Sequence, residues 1–109
     1  MLFIFDLDDT TINSRHRQGE TLADWIALNT PENVARDSLL PLADSWKTID
    51  QSRDDVVIMT SRVIADADLA FLARSGLRYR FIYSRPEGSM IPCGQLKTAM
   101  VLRLSLIHI

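Results

Sequence analysis

Three carboxylates follow the first apolar run of the chain, and their types and spacing indicate chemistry. The run at residues 2–5 ends in Asp6, and Asp8 and Asp9 come directly after it. Like charges placed so close together are unfavourable unless they share a cation or a proton. Asp6 and Asp8, two positions apart, can address one site as the chain leaves a strand. Mg²⁺ binds one or two carboxylates and completes its coordination with water and phosphate oxygens. We therefore expect a Mg²⁺ site at Asp6 and Asp8.

Two residues further along the chain complete a site for phosphate. Thr60 ends a second apolar run, and we expect its hydroxyl and backbone N–H at the start of a helix, where anions bind well. Lys97, one of only two lysines, lies on a later helix. A carboxylate nucleophile, a hydroxyl and an ammonium around one phosphate are typical of an aspartyl-phosphate site. Thr60 and Lys97 are the candidate phosphate-binding residues.

The elements that position these residues follow from the hydrophobic pattern. Apolar runs alternate with segments of helical periodicity, which predicts βαβ units and an α/β fold with a mostly parallel sheet. The run at 2–5 has no polar alternation and is expected to be buried on both faces. In such sheets, ligands bind beyond the carboxyl ends of the strands. Strands are predicted at 2–5, 56–59 and 79–83, and helices at 21–29, from Thr30–Pro31, from Pro41, at 64–75 before Gly76, and at 94–102.

Composition limits the class of protein. The 109 residues allow one domain, and 12 Lys+Arg against 14 Asp+Glu give a net charge of −2 without a basic block. That balance argues against non-specific nucleic-acid binding as the main function. A single cysteine, Cys93, excludes an internal disulfide and fits a reducing compartment. The longest apolar stretch contains Arg103 and is too short to span a bilayer. We expect a cytoplasmic protein with no membrane partner, and the oligomeric state stays open.

The residues at the strand ends resemble the motifs of the haloacid-dehalogenase-like phosphohydrolases. The first motif of that family, an apolar strand followed by D-x-D-x-T or V, is matched by residues 3–10. The second, an apolar strand ending in Thr or Ser, is matched by residues 56–60, and the third, a lysine on a later helix, by Lys97. The resemblance covers most of residues 1–103. It implies a three-layer, Rossmann-like parallel sheet and Mg²⁺-dependent hydrolysis of phosphomonoesters through an aspartyl-phosphate.

The resemblance also implies a role for each matching residue. Asp6 would attack phosphorus and carry the covalent phosphate. Asp8 would protonate the leaving group and then deprotonate the hydrolytic water, a role that needs a carboxyl close to the reaction. Mg²⁺ would be held by the Asp6 carboxylate and the Asp8 backbone carbonyl. Thr60 and Lys97 would orient and neutralise the phosphoryl oxygens.

A closer resemblance concerns the residues after the second and third strands. Residues 60–62, followed by residues 84–88, are similar to the phosphatase domains of phage polynucleotide kinases and to small phage acid-phosphatase-like proteins. Arg62 and Arg85 are candidate substrate contacts that would favour an anion, and ordinary solvated charge is the equal alternative. Residues 14–54 are too few for a large cap domain. The open site would admit a small phosphorylated substrate, a nucleotide or an oligonucleotide end.

The C-terminal part departs from the family pattern. The family has a fourth motif, an acidic pair after a further strand, but this chain has no acid after Glu87. Residues 104–109 match what a transposase adaptor used for sequencing libraries would encode, and a natural apolar strand or helix end is the alternative. We therefore expect a core at 1–103, a read-through tail at 104–109, a sheet incomplete at its C-terminus, and weak activity of this chain compared with the full-length enzyme.

Three alternatives to phosphatase activity are an NTPase, a regulatory domain and a non-functional gene fragment. An NTPase strand would need a glycine-rich phosphate loop, and the sequence has none. A receiver-like or phosphate-binding regulatory domain would place its phosphorylated aspartate after a middle strand, and Asp8 argues against it by supplying acid–base help for hydrolysis. A non-functional gene fragment is the third. Trp25 and Trp46 are predicted to be core residues rather than stacking platforms for a substrate.

Overall fold

The computed structural model describes the backbone of residues 1–108 and the side chains of residues 1–105. Three parallel strands form the main sheet, in the order β1-β4-β5, and two short strands form an antiparallel pair. The strands are β1 (Leu2–Phe5), β2 (Ile12–Asn13), β3 (Ser38–Leu39), β4 (Asp55–Met59) and β5 (Phe81–Tyr83), and the helices are α1 (Leu22–Ala27), α2 (Pro31–Val34), α3 (Leu42–Lys47), α4 (Asp66–Arg74) and α5 (Cys93–His108). The predicted α/β fold with a parallel sheet is confirmed.

The register of the sheet brings the ends of its strands to one edge. Phe5 at the end of β1 lies opposite Ile58 of β4, and Ile58 lies opposite Ile82 of β5. The residues that follow β1 and β4, Asp6 and Thr60, therefore leave the sheet at the same edge. This edge is where ligands bind in parallel α/β sheets.

Apolar clusters pack on both faces of β4, whose residues 56–59 are buried and alternate between the two faces. Val56 and Ile58 belong to the larger cluster, which includes Trp46 of α3 and residues of α4. Val57 and Met59 belong to a second cluster, which α5 completes. The apolar residues that α5 contributes to it are Leu96, Met100 and Leu104.

Two predictions about burial are wrong. Strand β1 is not buried on both faces, since Ile4 is 47% exposed. The cause is that β1 is an outer strand of the sheet, with β4 as its only partner among the described strands. The helical spacing of Leu42, Trp46 and Ile49 predicts one apolar stripe flanked by Ala43, but Leu42 is exposed whereas Ala43 and Trp46 are fully buried.

The helix boundaries largely follow the capping signals of the sequence. The Thr30 side chain accepts a hydrogen bond from the Asn33 N–H at 3.3 Å and so caps α2. Gly76 follows α4 with a φ of +74°, which favours glycine. Helix α5 is longer than predicted and includes Leu104, which is buried. The non-native origin of residues 104–109 stays a prediction, and Ile109 lies outside the described residues. Within residues 1–108, no helix is long and apolar enough to cross a membrane.

The antiparallel pair of β2 and β3 ties the loop after β1 to the middle of the chain. Ile12 pairs with Leu39 and Asn13 with Ser38. The Leu40 N–H extends this contact by donating to the Thr11 carbonyl at 2.9 Å. The pairing brings Asp37, the residue before β3, close to the acidic loop.

Candidate active site

The acidic loop after β1 is folded around a single backbone carbonyl. The Leu7 carbonyl accepts hydrogen bonds from the N–H groups of Thr11 and Ile12 at 3.0 and 2.8 Å. The Thr11 hydroxyl donates to the Asp6 carbonyl at 2.7 Å. Leu7 is fully buried, while Asp6 and Asp8 on either side of it line one open cleft. The loop thus presents two carboxylates to the same space.

The cleft has a volume of about 390 Å³, within the range of small-molecule sites. It holds both candidate catalytic residues and the candidate lysine, together with residues of the segment leading into α1 and of the turn after β4. The lining residues are Asp6, Asp8, Asp9, Gln18, Gly19, Glu20, Thr21, Leu22, Trp25, Ser61, Cys93 and Lys97.

Asp6 and Lys97 form an ion pair in this cleft. The Lys97 ammonium lies 2.7 Å from Asp6 Oδ2, and both side chains are about one-third exposed, at 33%. Asp6 Oδ1 accepts the Leu7 N–H at 2.8 Å, and Oδ2 also accepts the Thr10 hydroxyl at 3.4 Å. The structure therefore brings a carboxylate after β1 and a lysine of α5 into direct contact in the cleft.

Asp8 is held by a buried network of ion pairs. Its Oδ1 accepts hydrogen bonds from the Ser14 hydroxyl and from Arg62 Nη2, both at 2.7 Å. Arg62 also donates to Asp37 and to Asp68, each at 2.9 Å. One guanidinium thereby joins the cleft to the segment before β3 and to the first turn of α4.

Burial does not neutralise Arg62. Burial alone would lower the pKa of Arg62, but its hydrogen bond to Asp8 and the charges of Asp8, Asp37 and Asp68 outweigh that effect, so the pKa is raised above its ordinary value. The guanidinium therefore stays charged while the protein is folded, and it fixes the orientation of the Asp8 carboxylate.

Replacement of Arg62 by methionine is expected to destabilise the fold strongly. Without the guanidinium, three carboxylates lose a buried partner, and breaking a buried pair costs about 3–5 kcal/mol. Urea unfolding measures the loss. Arg80→Met is the matched control, because Arg80 pairs with Asp55 at the surface, where a pair contributes about 0–1 kcal/mol. Equal losses from the two variants would contradict a structural role for the network.

Thr60 and the two candidate substrate arginines lie beside the cleft rather than on its lining. Thr60 is not at a helix start as predicted, since α4 begins at Asp66. Its N–H donates to the Tyr83 carbonyl at 2.9 Å, and its buried hydroxyl accepts the Arg62 N–H at 3.0 Å. The neighbouring Ser61 lines the cleft instead.

Arg85 stabilises the loop that leads to α5. Its guanidinium is buried and donates to the Ser61 carbonyl at 2.8 Å and to the Ile91 carbonyl at 2.6 Å. These contacts join the turn after β4 to the start of the helix that carries Lys97. Arg62 and Arg85 therefore both bind protein groups in this structure, and contact with a substrate stays a prediction for each.

The sequence interpretation missed one wall of the cleft. Leu22 and Trp25 of α1 line it, although Trp25 was predicted to be a core residue. Trp46 does lie in the core, where its ring stacks on Phe5 with centroids 4.7 Å apart. The available sequence signal is the polar segment before α1, which contains Gly19. A helix that follows such a segment is less closely tied to the core.

The cleft offers oxygen ligands of the kind that Mg²⁺ prefers. Among the described side chains, those of residues 1–105, no group of three or more His, Cys, Asp or Glu is arranged to hold a metal ion. Mg²⁺ is commonly bound by only one or two carboxylates, with substrate phosphate and water completing its shell. The Asp6 carboxylate and the Asp8 backbone carbonyl would provide one carboxylate and one further oxygen ligand. The residues present therefore fit Mg²⁺ that binds together with a phosphate.

Comparison with known proteins gives one family. Residues 1–91 match the family model described as Bacteriophage T5 5'-deoxynucleotidase. No curated protein and no solved structure matches the chain significantly. The matched residues include β1, its acidic loop, α1, β4 and β5.

Proposed function

Because the chain belongs to the Bacteriophage T5 5'-deoxynucleotidase family, we propose that it is a phosphohydrolase that removes the phosphate of nucleoside 5'-monophosphates through an aspartyl-phosphate. The observation that carries the mechanism is the 2.7 Å contact between Lys97 and Asp6 in the cleft. It supports a carboxylate nucleophile beside a cation for the phosphoryl oxygens. The proposed mechanism is that of the haloacid-dehalogenase-like enzymes, whose motifs the chain resembles.

The first half of the reaction transfers the phosphoryl group to Asp6. A carboxylate oxygen of Asp6 forms a bond to phosphorus, and the bond between phosphorus and the ester oxygen breaks. Asp8, as the acid, gives its proton to the departing nucleoside oxygen, which leaves as a neutral alcohol. Lys97 shifts its contact from the Asp6 carboxylate to the phosphoryl oxygens and offsets their negative charge.

The second half hydrolyses the aspartyl-phosphate. Asp8 accepts a proton from water, the water oxygen bonds to phosphorus, and the bond to Asp6 breaks to release inorganic phosphate. Asp8 suits both steps, because Ser14 and Arg62 Nη2 bond to its Oδ1 while Oδ2 accepts only Arg62 Nε, at 3.1 Å. The carboxylate is thus oriented and keeps an oxygen with room for a proton.

Charge in the cleft supports a need for Mg²⁺. Four carboxylates and one lysine are among the described lining residues, so a phosphate dianion meets net negative charge there. Mg²⁺ held by Asp6 and Asp8 would supply positive charge to the phosphoryl oxygens when it is bound. Lys97 and the N–H of Leu7 orient the Asp6 carboxylate beside it.

The two lysines of the chain provide the experiment. Phosphate release from a deoxynucleoside 5'-monophosphate is measured with Mg²⁺ and with a chelator. We expect release that depends on Mg²⁺ and falls by about 10²–10³-fold in Lys97→Met, as when a group that stabilises the transition state is removed. Lys47→Met is the matched control, because Lys47 lies on α3 away from the cleft. No release from any nucleotide would contradict the proposal, and stable phosphorylation without turnover would favour the regulatory domain.

A further inference from the structure

The apolar wall formed by Leu22 and Trp25 has no role in the transfer of phosphate. Both residues line the cleft that holds Asp6 and Lys97. A site for inorganic phosphate alone needs charged and polar groups, not an indole ring. The wall therefore indicates that the substrate has an apolar or aromatic part in addition to its phosphate.

Trp25 is not explained by packing of the core. Helix α1 has no buried residue, and neither Leu22 nor Trp25 belongs to the two apolar clusters of the described residues. Trp46, in contrast, is completely buried. Trp25 is partly exposed in the cleft. A tryptophan in such a place provides a large apolar surface with few rotatable bonds, which is a common basis for ligand contact.

The Trp25 ring is supported on one face by a fixed cation. The Arg17 guanidinium carbon lies 5.0 Å from the ring centroid. Arg17 is itself buried and immobilised, because it donates two hydrogen bonds of 2.9 Å to Asp37 and one of 2.8 Å to Asn29. Since one face of the indole is covered by Arg17, the other face is the one available to a ligand in the cleft.

The turn before α1 sets the position of this wall. Gly19 has a φ of +66°, and a Cβ atom there would lie only 2.5 Å from Asp24 Cβ. The Thr21 side chain then accepts the Asp24 N–H at 3.1 Å and caps the helix. The turn and the cap fix the start of α1, the helix that carries the wall.

The charges of the cleft limit the rest of the ligand. The acidic residues among the described lining side chains outnumber Lys97, the one basic residue, by four to one. A chain of phosphates would meet more repulsion from these carboxylates than a single phosphate attached to an uncharged ring. The cleft thus favours one phosphate and one planar, neutral group.

From these contacts we propose that Trp25 and Leu22 form a nucleobase-binding wall, with the free face of Trp25 stacking on the base of a nucleoside monophosphate. The proposal rests on the proposed function and adds the residue that makes hydrolysis depend on the base. A base stacks on an aromatic side chain with little dependence on its identity. The wall therefore selects nucleotides against other small phosphates, while the carboxylates of the cleft disfavour the additional phosphates of an oligonucleotide.

Substitutions on α1 test the wall. The measured quantity is the ratio of kcat/KM for 2'-deoxyadenosine 5'-monophosphate to kcat/KM for 2-deoxyribose 5-phosphate, which lacks a base. In Trp25→Leu we expect this ratio to fall about tenfold, within the range found for loss of base–aromatic stacking. Trp25→Phe, which keeps an aromatic face, is expected to restore most of the ratio. Ile26→Ala is the matched control, because Ile26 lies on the same helix but does not line the cleft.

Two outcomes would contradict the proposal that Trp25 and Leu22 bind the base. One is a ratio that Trp25→Leu leaves at its original value, and the other is an equal loss for both substrates, which indicates a structural role for Trp25. If the unsubstituted protein hydrolyses neither substrate, the proposed function fails, and the wall is tested by fluorescence with the nucleoside 2'-deoxyadenosine. Saturable quenching would support it, since Trp46 is fully buried whereas Trp25 is partly exposed and lines the cleft. Absence of quenching would overturn it.

Discussion

Asp6→Asn is expected to abolish phosphate release, with a loss on the order of 10⁶-fold, as for other enzymes that lose a covalent nucleophile. Asparagine has nearly the size of aspartate and keeps an oxygen that can accept the Leu7 N–H. Its amide cannot form the acyl phosphate. Covalent phosphate should therefore disappear together with turnover. Phosphate release and mass spectrometry of acid-quenched protein measure the two effects.

The neighbouring aspartate provides the control for this substitution. Asp9 also lines the cleft and has a φ of +61°, a conformation that asparagine tolerates better than most residues. Asp9→Asn removes the same charge three positions along the loop, and we expect it to retain most of the activity. Full activity of Asp6→Asn with several phosphomonoesters would contradict the mechanism. So would a loss in Asp9→Asn as large as that in Asp6→Asn, because net charge would then be the cause.

The parts of the site that could be predicted are those fixed by local pattern. Asp6 follows the first apolar run, and Lys97 lies on the helix that follows the third predicted strand. The rules for parallel sheets place both residues at the carboxyl ends of the strands. The structure brings them into an ion pair. The cap at Thr30 and the glycine after α4 were likewise predictable, because each depends on a few consecutive residues.

The parts that could not be predicted depend on partners far apart in the chain. Arg62 bonds to Asp8 across 54 positions and to Asp37 across 25. Nothing near Arg62 in the sequence distinguishes a buried arginine from a solvated one. The pairing of β2 with β3, which places Asp37 near the acidic loop, depends on strands of two residues each. Strands this short leave no detectable periodicity.

The buried network also explains how a site on loops is kept in place. Arg17 contacts Trp25 and Asp37, while Arg62 contacts Asp37 and Asp8. The carboxylate of Asp37 is thus shared by the arginine behind the proposed base wall and the arginine behind the proposed acid. Because all of these groups are buried or partly buried, solvent screening of their interactions is weak. One set of ion pairs therefore positions both ends of the proposed substrate site.

Asp8→Asn is expected to lower nucleotide hydrolysis by about 10²–10⁴-fold, the usual contribution of general acid–base catalysis. A nucleoside oxygen is a poor leaving group and needs the proton of Asp8. An aryl phosphate needs much less protonation, so its transfer to Asp6 should be less affected, and some phosphorylated Asp6 should accumulate because the second step also lacks its base. The measurement compares turnover of the two substrates and the amount of covalent phosphate.

The control for Asp8 is another carboxylate on the same arginine. Asp68 accepts a hydrogen bond from Arg62 at 2.9 Å, as Asp8 does, but it lies on α4 and does not line the cleft. Asp68→Asn perturbs the network without removing the proposed acid, so any loss of activity should be equal for the nucleotide and the aryl phosphate. Asp8→Asn should instead change the ratio between them. If Asp8→Asn lowers both substrates equally, Asp8 acts only through the network, and the proton must come from another group.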